Sequence, residues 1–136
     1  MSRFLVSIGA AAAIASLAVL PAMATQARHA ALVQNVTVTV TKATEFKFNL
    51  SKVALKKGVV SFKVSNGGNL PHDFKVCSSN KGTITANTCT GRSTPQVSPG
   101  QTNTLRVTFL RSGTYEYLCT VPGHAAAGMK GLIKIS

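Results

Sequence analysis

At 136 residues, with 15 Lys and Arg against three Asp and Glu, the chain carries a formal charge of +12. So few carboxylates argue against a hard-cation site and against an acid–base pair of carboxylates. The surplus suits acidic partners, but no basic stripe is interleaved with aromatics, which argues against nucleic acid.

The first segment does not read as part of a fold. Arg3 precedes an uncharged apolar run from Phe4 to Leu20, and Pro21-Ala22-Met23-Ala24 has the small-x-small form of a signal-peptidase site. Residues 1–24 are therefore expected to be a signal peptide, giving an exported protein, periplasmic or extracellular. The run is short for a membrane span and no second one follows, so stable insertion after cleavage is not expected. Residues 25–34 read as a flexible leader, and 35–136 as one domain.

From Val36 onward the apolar period is two. Val36, Val38 and Val40 alternate with threonines, and Phe46 and Phe48 alternate with Glu45 and Lys47. After the Lys56-Lys57-Gly58 turn come Val60, Phe62 and Val64. Beyond a second turn at Asn66-Gly67-Gly68-Asn69, the residues His72, Phe74 and Val76 share a strand face. Residues 78–98 are irregular, with room for a short helix. Leu105, Val107 and Phe109 then alternate with polar residues, as do Tyr115, Tyr117 and Cys119, and finally Ile133 and Ile135. Alternation of this kind makes strands with one wet face, and about seven of them punctuated by Gly and Pro predict an all-β sandwich or barrel.

Three cysteines in an exported chain leave one unpaired. Cys77 and Cys89 flank a polar loop that closes easily, so these two are expected to form a disulfide, with Cys119 as the odd thiol.

Cys119 opens the informative stretch, Cys119-Thr-Val-Pro-Gly-His124-Ala-Ala-Ala-Gly-Met129, at the end of a strand. One loop presents a thiolate, an imidazole and a thioether. Two soft sulfurs with imidazole favour copper, whereas a thioether is a poor ligand for zinc. A second histidine must come from elsewhere. His29 lies in the leader, which leaves His72. Singly, His72 and Met129 would each read as core residues; together with the spare cysteine they complete the set of two His, one Cys and a weak axial Met. A Cys119–His124 nucleophilic pair would explain neither His72 nor Met129.

On these residues the chain resembles the cupredoxins. The run Tyr115-Glu-Tyr-Leu-Cys119 to Met129 is most similar to the rusticyanin and sulfocyanin type of ligand loop. The resemblance implies a two-sheet Greek-key β-sandwich, one type 1 copper ion and one-electron transfer. It also marks a departure: Asp73 follows the first histidine where many members have Asn or Ser tying the ligand loops together.

The expected function is that of a one-electron carrier between redox proteins, acting as a monomer on partners with acidic docking surfaces. The alternative is copper storage or delivery through the same ligands. An enzyme is not expected, because a copper catalytic centre needs further histidines and only His29 is left over. Ala125-Ala126-Ala127 is expected to form an apolar patch beside His124, with Lys130 among the steering charges.

Overall fold

The computed structural model describes residues 32–136. Residues 1–24, where a signal peptide is expected, and most of the expected leader with His29 lie outside the described residues. The strands are β1 (Gln34–Thr41), β2 (Asn49–Leu50), β3 (Ala54–Leu55), β4 (Gly58–Gly67), β5 (Lys75–Cys77), β6 (Gly91–Ser93), β7 (Thr102–Phe109), β8 (Gly113–Leu118) and β9 (Lys130–Ile135). One sheet has the order β2-β1-β4-β7 and the other β3-β9-β8-β5-β6. β1 runs parallel to β4, and β3 parallel to β9; the remaining pairs are antiparallel. The all-β two-sheet expectation is met.

The period of two explains which side chains face inward. Val36, Val38, Val40, Val60, Phe62 and Val64 are all buried against Tyr115, Tyr117, Ile133 and Ile135 of the opposite sheet. The inner ends of this core are aromatic. Phe74 packs against Phe48, Phe62 and Tyr117 with ring centroids 5.1, 5.3 and 5.4 Å away. These contacts fix the chain just beyond His72 and just before Cys119, so the core itself sets the distance between them.

Three local expectations change. Phe46 and Phe48 do not lie on a strand: a 3-10 turn at Lys42–Thr44 and the bend after it bury Phe48 but leave Phe46 41% exposed. Residues 78–98 are irregular as expected apart from β6, but contain no helix. Between Cys77 and Cys89, which form a disulfide, the chain lies against β8 and β9 on the side away from the core, with Gly82 N–H donating to Thr114 O, Lys130 reaching Ala86 and Asn87, and Cys89 packing with Leu118. Finally, His72 precedes β5 and is held outside any named strand by an isolated bridge to Val97. No helix among the described residues is long and apolar enough to cross a membrane.

Candidate metal centre

Four chain segments meet at one end of the sandwich. His72 is pinned by paired backbone bonds to Val97, His72 N–H to Val97 O at 3.1 Å and Val97 N–H to His72 O at 2.7 Å. The turn before it is organised by the buried amide of Asn66. This amide donates to Leu70 O and Val97 O at 2.7 and 2.8 Å, and accepts from Gly68 N–H at 2.9 Å.

Cys119 follows directly on β8, and the loop after it closes on itself. Cys119 N–H donates to Met129 O, and Met129 N–H to His124 O, each at 3.0 Å. Gly123 and Gly128 have φ of +84° and +109°, a region that side-chain-bearing residues rarely occupy, which is why this short return needs glycine.

The result brings three donors together. His72 Nδ1 lies 3.1 Å from His124 Nδ1; Cys119 Sγ lies 4.0 Å from the first and 3.6 Å from the second. All three residues are buried. Bonds of ~2.0 Å to nitrogen and ~2.3 Å to sulfur would put donors in a trigonal plane roughly 3.5 Å apart, close to this spacing. Two unprotonated ring nitrogens facing each other at this distance repel unless a proton or cation lies between them, so the donor set itself fits a metal ion. Met129 is fully buried in the same cluster of side chains as Cys119.

Two carboxylates surround the donors. Asp73 accepts from Thr120 N–H at 2.6 Å, from the Thr120 hydroxyl, and from the Ser93 hydroxyl at 2.9 Å. It thereby ties the His72 segment to the residue after Cys119, the role expected for this position. Burial acts to raise its pKa, but the bonds from Thr120 and Ser93 outweigh burial and hold it below the ordinary value. Glu45 accepts from His72 Nε2 at 2.9 Å and from the amides of Asn69 and Leu70 at 2.8 and 3.0 Å. Against the opposing effect of burial, these donors bring its pKa down to about 2.

Without metal, burial pushes the Cys119 thiol up to about 11, despite opposing backbone bonds at Asp73 and Val121. Burial and then the neighbouring His72 push His124 below the ordinary imidazole value.

The apolar rim differs from expectation. Ala125 is buried with Leu118 and Cys77, resting on the disulfide, whereas Ala126 and Ala127 are exposed. Phe46 takes the place beside His124, ring centroids 5.1 Å apart in an edge-on contact. Lys130 is not a free steering charge: its ammonium donates to Asn87 Oδ1 at 2.8 Å and to Ala86 O at 3.3 Å. Glu45 and Phe46 escaped the sequence reading because they reach the site through a turn that resembled a strand. The one available signal was the rarity of acidic residues.

A mixed two-sheet sandwich with His, Cys and His donors converging at one end defines the cupredoxin class. The model of the copper binding proteins, plastocyanin/azurin family, matches residues 34–136. The chain belongs to that family, whose cofactor is copper. The copper-resistant cuproprotein CopI of Rubrivivax gelatinosus is 26% identical over 110 residues, covering 73% of this chain and 66% of CopI. The chain thus spans just under two thirds of that relative's length. Auracyanin A, a blue copper protein of Chloroflexus aurantiacus, superposes with a TM-score of 0.59 at 19% identity, over 76% of this chain and 99% of its own. Rusticyanin of Thiobacillus ferrooxidans gives 0.58 at 24% identity, over 76% and 77%. Both structural likenesses are likenesses of fold.

Proposed function

We propose that the protein is an exported one-electron carrier that holds a single type 1 copper ion through His72 Nδ1, Cys119 Sγ, His124 Nδ1 and the Met129 thioether. The observation that carries this reading is the convergence of three buried donors, His72 from one segment and Cys119 and His124 from a distant loop, in a chain of the copper-binding family. Bound copper supplies a Cu(II)/Cu(I) couple.

The residues around it favour transfer over substrate chemistry. Backbone ties from Val97, Met129 and His124 hold the donors in place before metal arrives, so little has to move between redox states. His124 is only 8% exposed, and Phe46 and Leu70, 41% and 40% exposed, with Ala126 and Ala127, give the partner an apolar surface. The lysine-rich remainder would steer acidic partners toward it. The likeness of fold extends to a multicopper oxidase, but this chain has no histidine beyond His29 to build a further copper centre.

The similarity to CopI supports a second reading, copper handling through the same ligands. Repeated reduction and reoxidation in the presence of a Cu(I) chelator separates the two. A carrier cycles with its copper retained and its electron exchange slowing as salt rises. Loss of copper to the chelator on the first reduction would contradict the carrier and favour delivery.

A further inference from the structure

Among the residues after position 24 there are three carboxylates, in a chain whose total charge is +12, and two of them lie against the donor residues. Asp73 occupies a position where the family places a polar tie. Glu45 has no such precedent in the sequence pattern, yet it is the more heavily engaged. Its oxygens accept from His72 Nε2 at 2.9 Å, from Asn69 N–H at 2.8 and 3.1 Å, from Leu70 N–H at 3.0 Å and from Asn69 Nδ2 at 3.3 Å.

The side chain is 14% exposed. Its place is made by a glycine: a Cβ on Gly68 would collide with the Glu45 carboxylate. The contact also spans the fold, since Glu45 follows the 3-10 turn after β1 while His72 lies 27 residues later, between the sheets.

We propose, on the copper reading above, that Glu45 is a positioning residue of the centre: it fixes the proton on His72 Nε2, holds the ring, and biases bound copper toward Cu(II). The Glu45 oxygens already accept from the backbone N–H groups of Asn69 and Leu70, so the carboxylate is the acceptor toward His72 as well and the shared hydrogen belongs to Nε2. The neutral ring then has its lone pair on Nδ1, the nitrogen that faces Cys119 Sγ and His124 Nδ1. A carboxylate on the far nitrogen of a ligand imidazole orients the ring and makes it a stronger donor, and its negative charge favours the more highly charged metal. A simple brace for the 66–70 turn would do neither.

Nitrogen-15 NMR of the metal-free wild type, with the ring neutral, reads the tautomer directly; His72 is expected as Nε2–H. Voltammetry of copper-loaded wild type and Glu45→Gln reads the bias. The variant is expected to favour Cu(I) at least about tenfold more than wild type, a rise of ~59 mV for one electron. Gly68→Ala keeps the charge but displaces the carboxylate, so a smaller rise in the same direction is expected. That variant carries the comparison if Glu45→Gln does not fold.

An Nδ1–H tautomer in the metal-free wild type, or a potential that does not rise on substitution, overturns the proposal. A blue wild type with no rise defeats the role of Glu45 alone. A copper-loaded wild type without the blue band defeats the copper reading, while the tautomer result stands apart from it.

Discussion

Three strands of the first sheet, β1, β4 and β7, are eight to ten residues long, whereas β5 and β6 of the second have three residues each. None of the first sheet's strands contains a proposed ligand. The donors all come from the second sheet's margins: His72 before β5, and Cys119, His124 and Met129 between β8 and β9. Long, regular strands bury a continuous apolar face, and short ones release backbone to converge on a point. The difference teaches that scaffold and site are separable in stability, although Phe74 and Glu45 couple them in geometry.

The largest expected effect breaks the scaffold. Phe109 is buried in β7 against Phe62 and Tyr115, and Phe109→Ala is expected to destabilise the protein by about 3–5 kcal/mol. Denaturant unfolding checks this, and the visible spectrum of the folded copper-loaded variant should be unchanged. A spectral change would mean that the sheets are not separable in this sense.

The second effect lies on the outside of the second sheet. Replacing both Cys77 and Cys89 by Ser opens a disulfide closing a 12-residue separation, at a cost of about 3 kcal/mol. Because Ala125 rests on that bridge, copper dissociation should also become faster in this variant. Chelator competition measures it.

Asp73→Asn acts within the site. It weakens the charge-assisted bonds to Thr120 and Ser93, costing about 1–2 kcal/mol, and removes a negative charge near the donors. The copper potential should rise, with an upper bound of about 100 mV for a charge roughly 7 Å away at an effective dielectric of ~20. Voltammetry showing a fall would contradict this.

The smallest effect concerns Glu116, buried on β8 with Oε1 lacking a hydrogen-bond partner. Burial raises its pKa above the ordinary 4.5, with Lys130 opposing. The folded state therefore binds the proton more tightly than the unfolded state, and stability falls as pH rises from about 4.5 through the folded value. Glu116→Gln should be more stable than wild type at neutral pH, with the gain closing below pH 4.5. Thermal melts across that range test it.

The sequence made the second sheet's ligand loop easier to read than its surroundings. Cys119, His124 and Met129 are local, and their spacing alone carries the chemistry. The strands of the first sheet were equally plain, because Val36–Val40 and Val60–Val64 alternate without interruption. His72 required elimination among histidines, and its bridge to Val97 had no sequence signal, since 25 residues separate them. Glu45 and Phe46 were hidden for a physical reason: alternation looks the same in a strand and in a bend, and only the packing of Phe48 against Phe74 determines which side each residue faces.

The most direct test of the centre is the visible and EPR spectrum of the copper-loaded protein, recorded beside Cys119→Ser. An intense thiolate-to-copper band with the narrow copper hyperfine splitting of a type 1 site, both lost in the variant, is the predicted result. A colourless wild type, or a band that survives loss of the Cys119 sulfur, would contradict the assignment of His72, Cys119, His124 and Met129 as the ligands.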